Sequence, residues 1–250
     1  MAITVVSEGT ISSKTTGASM SVGDLAAVVG DSLVAVVAEK DTGTTTVTYK
    51  PQGQPTVSLT KDIEIISVAH VRCSIWSIHN IIDNPGTGTV EYANSTNTAK
   101  NMAVYTVTGL ATSATFDKSA SSTGPSATPS SPQPATLAQT DEVLIGGIGT
   151  EGPDGDAAGT WNAGANQTTD NNQRLGTTGG NPASNTTVAA TTKIVSATTG
   201  GIASKTGITS SKWAAAIATY KAAAADIPPG LGPNLDMDTM SQLGPVLWRY

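Results

Sequence analysis

The stretches DSLVAVVAE (residues 31–39) and WAAAIATYK (residues 213–221) decide the fold of this 250-residue chain. The first contains an unbroken apolar run with β-branched residues, which is typical of a strand buried on both faces. Between the two stretches run short segments rich in Thr, Ser, Gly and Val, separated by turn residues, as in antiparallel β-structure. We therefore predict that the two stretches lie close together in the core of one β-sandwich.

The second stretch fits either a helix or a strand. The alanines of WAAAIATYKAAAA, residues 213–225, favour a helix. The same residues also alternate, because Trp213, Ala215, Ile217 and Thr219 would share one face of a strand. We predict a strand, since the preceding segments all have β patterns and a lone terminal helix would need a docking face.

A third stretch, VRCSIWSIHNI at residues 71–81, alternates cleanly between two faces of a strand. One face carries Val71, Cys73, Ile75, Ser77 and His79, and the other carries Arg72, Ser74, Trp76, Ile78 and Asn80. Further strands are predicted at residues 44–49, 89–92, 102–108, 141–148 and 188–195. Residues 3–11 fit an edge strand or an arm, and residues 19–29 fit either a short helix or a strand with a turn. The pair Gly146–Gly147 predicts a bulge or a close backbone approach.

In contrast, residues 119–134 (SASSTGPSATPSSPQP) form a low-complexity segment. The segment contains almost no large apolar side chain, so we expect it to bury almost nothing. It is predicted to be a surface loop or a linker.

Composition excludes several classes of function. Only 13% of the residues are charged, the net charge is −6, and the Lys and Arg residues are scattered, which argues against nucleic-acid binding. The single cysteine excludes an intrachain disulfide. No apolar run reaches the ~18 residues that span a bilayer, and the first ten residues do not resemble a signal peptide. We expect synthesis in a host cytoplasm without secretion. Few charged residues and many Thr, Ser and Gly residues are typical of β-rich extracellular or virion proteins, so a virus particle is one route out of the cell.

Five motifs occur in a characteristic order. They are GDLAAVV at residues 23–29, VAVVA at 34–38, DEVLIGGIGTEG at 141–152, TTVAATTKIV at 186–195 and WAAAIATYKA at 213–222, with the Ser/Thr/Pro-rich segment in the middle. In this order they resemble the jelly-roll-like β-sandwich domains of tailed-bacteriophage virion proteins. The resemblance covers residues 21–222 and supports the strand at residues 213–225. It implies an all-β, jelly-roll-like antiparallel β-sandwich in a virion part: a head decoration (cement) protein, a head fibre, or a tail or baseplate component.

Two groups of residues suggest chemistry, but neither forms a recognisable site. His70 and His79 flank Cys73, yet Cys73 and His79 would lie about 20 Å apart along an extended strand, too far to share a metal ion. We interpret these three residues as ordinary core or surface residues.

Residues 151–156 place Glu151, Asp154 and Asp156 on a Gly-rich loop, and carboxylates at this density can hold calcium. The loop lacks the full pattern of a calcium-binding loop, so a solvated acidic loop is the simpler interpretation. Trp161 lies nearby and could provide an aromatic platform for a sugar. We predict no catalytic residue, no cofactor, no metal site and no enzymatic activity.

The sharpest functional feature is the C-terminal segment, residues 226–250, which follows the predicted sandwich domain of residues 1–225. We predict that this segment is an extended C-terminal arm, because Pro228, Pro229 and Pro233 stiffen its beginning and keep it extended. It then presents many apolar side chains, which either cover its own sandwich or lie across a neighbouring subunit; we favour the second. The predicted partner-binding residues are Leu235, Met237, Met240, Leu243, Val246, Leu247, Trp248 and Tyr250.

The sequence thus predicts a bacteriophage virion structural protein that decorates the particle, on the head surface rather than the tail. Its predicted partners are other virion proteins, chiefly the major capsid protein, and it could form a homo-oligomer. No nucleic acid or membrane partner is expected. The alternative is a carbohydrate-binding or host-adhesion module of a head or tail fibre, with a host glycan as partner for the loops at residues 149–182.

Overall fold

Antiparallel β-strands make up the regular structure of this protein. The computed structural model describes residues 2–25, 27–40, 43–82, 87–94, 96–152, 159–164, 166–177 and 185–224. Sixteen strands and no helix occur in these ranges, so they contain no helix that could cross a membrane. The strands are β1 (Thr4–Ser13), β2 (Met20–Leu25), β3 (Ser32–Lys40), β4 (Thr46–Lys50), β5 (Val57–Ser58), β6 (Thr60–Ser67), β7 (Val71–Ile78), β8 (Gly88–Ala93), β9 (Lys100–Thr108), β10 (Phe116–Ser126), β11 (Asp141–Glu151), β12 (Thr160–Trp161), β13 (Asp170–Gly176), β14 (Thr186–Ser196), β15 (Lys205–Thr206) and β16 (Ser211–Lys221).

The middle layer is a five-stranded sheet, the central sheet, with the order β1-β9-β3-β7-β6. Strand β3 is its middle strand and is buried along almost its whole length, as its unbroken apolar run predicts. Val34, Val36 and Ala38 point to one side, while Leu33, Ala35 and Val37 point to the other. The predicted alternation in residues 71–81 is confirmed too, because Cys73 and Ile75 join the first core and Trp76 joins the second.

A second five-stranded sheet, the outer sheet, packs on the first side in the order β10-β16-β11-β14-β13. Residues 211–221 are a strand rather than a helix, so the predicted strand is confirmed. Ala214, Ala216 and Ala218 of β16 face the same core as Val34 and Val36 of β3. The two stretches that decide the fold therefore meet in one core, from sheets that face each other.

A four-stranded sheet, the small sheet, covers the other side of the central sheet in the order β2-β8-β4-β5. Its Tyr49, Val90 and Tyr92 pack with Leu33 and Trp76 of the central sheet. The predicted all-β, jelly-roll-like antiparallel sandwich is confirmed, and the small sheet adds a third layer to it. The strands predicted at residues 89–92 and 102–108 do form, as β8 and β9. They do not pair with each other, because β8 belongs to the small sheet and β9 to the central sheet.

The prediction of a loop or linker at residues 119–134 is wrong for its first half. Residues up to Ser126 belong to β10, which pairs along its length with β16 and is half-buried. The small side chains allow this pairing, because the ring of Trp213 lies over Gly124, where a Cβ would come within 2.7 Å of it. The Trp213 indole also donates a hydrogen bond to Ser126 Oγ at 2.9 Å. Backbone hydrogen bonding thus overrides the lack of apolar side chains.

Two smaller predictions are settled by the same strands. Residues 20–25 form a strand, β2, rather than a short helix. Gly146–Gly147 forms no bulge, since β11 keeps a regular register with both neighbours, but the glycines do allow a close approach of neighbouring residues. The C-terminal segment at residues 226–250 lies outside the described residues.

Candidate functional site

The eight residues predicted to bind a partner, from Leu235 to Tyr250, lie outside the described part of the chain. Asp154 and Asp156 of the acidic loop also lie outside it. The third carboxylate, Glu151, is described and is engaged by two basic side chains. Lys40 Nζ lies 2.5 Å from its Oε1, and His70 Nδ1 lies 2.6 Å from its Oε2. These contacts link the outer sheet to the central sheet and already satisfy both oxygens of Glu151.

The structure does not bring Cys73 together with either histidine. His70 precedes β7 and His79 follows it, so they lie at opposite ends of the strand. Cys73 is fully buried in the core, and burial raises the pKa of its thiol to about 12, which makes it a poor nucleophile. Burial lowers the pKa of His79 to about 4, so its imidazole is neutral at pH 7. Within the described ranges, no group of three or more His, Cys, Asp or Glu side chains is placed to hold a metal ion.

Trp161 lies on the outside of the outer sheet and is partly exposed. Its indole N–H donates a 2.7 Å hydrogen bond to Asn172 Oδ1, and Lys205 Nζ lies 4.9 Å from the ring centroid. Its ring also packs against a small cluster that includes Ile148 and Trp213. The cation therefore shares the aromatic surface that a sugar would use.

A buried carboxylate, Glu39, organises the polar residues at one end of β3. Thr45 Oγ1 donates a hydrogen bond to its Oε1 at 2.5 Å, and Arg72 Nη1 lies 3.6 Å from the same oxygen. The Tyr92 hydroxyl and the Asn97 side-chain amide both donate to Oε2. Burial raises the pKa of Glu39, while these donors and Arg72 oppose that shift. The cluster connects the small sheet and its loops to the central sheet, and sequence periodicity alone gave no sign of it.

A second acidic pair, Asp117 and Glu142, lies near the other end of the molecule. Burial raises the pKa of Glu142 to about 7, and the neighbouring negative charge of Asp117 adds to the shift. For Asp117, burial acts in the same direction, but the Ala138 N–H, which donates to it at 2.8 Å, and Lys118 hold its pKa below the usual value. The native state therefore binds a proton at Glu142 that the unfolded chain has released at neutral pH.

This proton makes the stability depend on pH. Because the pKa of Glu142 is higher in the folded protein, stability falls as the pH rises from about 4.5 to about 7. The amide of Glu142→Gln does not ionise. We therefore expect the free energy of unfolding of this variant, relative to that of the wild type, to rise by about 1–2 kcal/mol from pH 5 to pH 8. Urea unfolding at both pH values measures the gain. The control Asp141→Asn, at the neighbouring exposed position, keeps Glu142, so its stability should fall with rising pH as that of the wild type does.

The surface with the clearest capacity to bind a partner lies at the end of the sandwich where β3 begins and β7 ends. Four aliphatic side chains there are exposed: Val28 by 56%, Val29 by 55%, Val57 by 40% and Ile82 by 76%. We call these four residues the end patch. Backbone hydrogen bonds hold its parts together, since Gly30 N–H donates to Ile81 O at 2.8 Å and Ile81 N–H donates to Asp31 O at 2.9 Å.

A cavity of about 230 Å³ opens beside the end patch. Its wall includes Tyr49, Val57, Ile78, His79, Ile81 and Ile82. It is smaller than the about 300–1,000 Å³ of typical small-molecule sites, and its wall is mainly apolar. Both features suit a few side chains of a polypeptide. The sequence contains a signal for this surface, because VV at residues 28–29 and II at residues 81–82 place apolar residues directly beside turns, but periodicity does not show that they meet.

Comparisons with known proteins add no identity. No protein-family model matches the chain, and neither the curated proteins nor the solved structures include a match. We therefore infer the function from the fold, the end patch and the sequence itself.

Proposed function

We propose that this protein is a non-enzymatic structural protein of a bacteriophage virion, a capsid decoration or cement protein that binds other virion subunits. The observation that carries the proposal is the apolar composition of the C-terminal segment. Eight large apolar residues follow Pro233, and the sandwich exposes an apolar patch at the end where the described chain stops. Apolar and aromatic side chains of this kind are the usual anchors of protein interfaces.

Two further features support the same class. The resemblance to jelly-roll-like domains of virion proteins covers most of the sandwich, and the confirmed all-β fold agrees with it. Apolar packing and buried polar clusters such as that of Glu39 stabilise the interior, and the single cysteine forms no disulfide. A fold of this kind suits a role as a binding unit on a particle surface.

We expect the C-terminal segment to anchor the protein to the particle. Deleting residues 227–250 should weaken binding to particles that lack the protein by about a hundredfold or more, because two or more anchoring side chains at about 2 kcal/mol each are removed. Co-sedimentation of the purified protein with such particles measures the binding. The variant Trp248→Ala should weaken it in the same direction, and Trp161→Ala should not. Equal binding with and without the segment contradicts an anchoring role.

The particle location has its own test. Immunogold electron microscopy of intact virions, with antibody against residues 1–224, should label the whole head surface. Labelling of the tail tip or of fibres alone would instead support the second candidate, a host-adhesion module.

One observation favours that second candidate: Trp161 is partly exposed and has the polar side chain of Asn172 beside its ring, although a sugar would have to displace Lys205 from the ring face. Aromatic rings with adjacent polar groups are suited to sugar binding. For an adhesin, glycan binding would survive deletion of residues 227–250 and would be lost in Trp161→Ala.

A further inference from the structure

We propose that the cavity beside the end patch binds the C-terminal segment of the same chain, residues 225–250, through the apolar side chains of that segment. This contact would form in the free subunit, and binding of the same side chains to a particle would displace it, so its test does not depend on the role proposed for the protein in a virion. We infer this contact from the place where the described chain ends, from the apolar lining of the cavity and from the length of the segment.

The described chain ends beside the cavity. Ala223 N–H donates a 2.8 Å hydrogen bond to Gly109 O, directly after the end of β9. Strands β9 and β7 both adjoin β3, so their ends are separated by about 10 Å, twice the spacing of neighbouring strands. Tyr220 provides a direct contact, because its ring centroid lies 5.3 Å from that of His79, which lines the cavity. The C-terminal segment therefore starts at the same end of the sandwich as the end patch.

The cavity matches an extended apolar peptide. Its wall is mainly aliphatic and aromatic, and Ile82, at its rim, is 76% exposed. Aliphatic side chains of a peptide can fill this apolar space.

The reach of the segment favours its own cavity over that of a second copy. Residues 225–234 alone can span about 30 Å at 3.3–3.6 Å per extended residue, which exceeds the separation of about 10 Å between the ends of β9 and β7. A tethered segment meets its own cavity at an effective concentration in the millimolar range. Binding to a second copy would have to compete with this intramolecular contact.

Hydrogen–deuterium exchange of the full chain, followed by mass spectrometry, tests the proposal. We expect slowed exchange in peptides from residues 231–250. The variant Ile82→Asp should raise the exchange rate of these peptides by about tenfold or more, the factor expected when an aliphatic contact is replaced by a charge. The matched control is Val68→Asp. Val68 is 78% exposed, like Ile82, but it precedes β7, whereas Ile82 follows it, so the two lie at opposite ends of the sandwich.

The outcomes separate clearly. Unchanged exchange in β3 and β7 shows that the variants fold, as their exposed positions predict. Exchange in residues 231–250 at the rate of an unstructured peptide in the wild type would overturn the proposal, and so would equal effects of Ile82→Asp and Val68→Asp. Protection that disappears on dilution, together with a dimer in analytical ultracentrifugation, would assign the cavity to a second copy and overturn the intramolecular contact.

Discussion

Glu39→Leu is expected to cost about 3–5 kcal/mol of the free energy of unfolding, the range for breaking a buried ion pair by removing one partner. Glu39 is fully buried and serves as the acceptor for Thr45, Tyr92 and Asn97, with Arg72 beside it. Removing the carboxylate deletes the acceptor of three hydrogen bonds and the charge beside the Arg72 guanidinium in an interior site. Losing the partner of a buried polar group costs about 1–3 kcal/mol, and several such contacts are lost together here.

Urea unfolding at pH 7 measures this cost as a lower midpoint with an unchanged slope. Glu39→Gln keeps the shape of the side chain but removes its negative charge. We therefore expect a loss of unfolding free energy that is smaller than that of Glu39→Leu. The control is Glu91→Ala, which breaks the solvent-exposed pair of Lys50 and Glu91 and should cost less than about 1 kcal/mol. Similar losses for Glu39→Leu and Glu91→Ala would show that the buried cluster does not hold the small sheet in place.

The order of the apolar residues made much of the fold predictable. The segments made of polar residues could not be placed in the same way. The run in β3 predicts a strand buried on both faces, and the alternation in β7 predicts which side chains share a face. Strand β10 escaped prediction because Ser and Thr side chains give no periodic signal. Its place is decided by backbone pairing with β16 and by the contact of Gly124 with Trp213. Local pattern cannot report a partner about 90 residues away.

The candidate surface was less predictable than the core. The Val28–Val29 pair lies far from Ile82 in the sequence, and these residues meet only because β3 begins where β7 ends. The Glu39 cluster was missed for the same reason, since its donors come from three separate loops and strands. The C-terminal segment, in contrast, was singled out by composition alone, and its binding role stays a prediction.

Gly147→Val is expected to cost more than about 3 kcal/mol, because it forces extra atoms into a well-packed core. Gly147 lies on β11, where the outer sheet approaches the central sheet. A Cβ at this position would lie 2.5 Å from Val36 Cγ1 and 3.2 Å from Cys73 Sγ. Both neighbours are fully buried on β3 and β7, so neither can move away without disturbing the sheet that carries it.

The smaller variant Gly147→Ala should lower the free energy of unfolding by about 1–3 kcal/mol. A second substitution, Val36→Ala, opens the space that the new methyl group needs. The double variant should therefore lose less than the sum of the two single losses, with a coupling of about 0.5–3 kcal/mol. Gly23→Ala is the control, because a Cβ there meets nothing closer than Thr89 Oγ1 at 3.5 Å, and it should change stability by less than about 0.5 kcal/mol. Thermal and urea unfolding of the four variants give the coupling. Strict additivity would mean that the sheets separate locally around residue 147, and that this glycine does not fix their spacing.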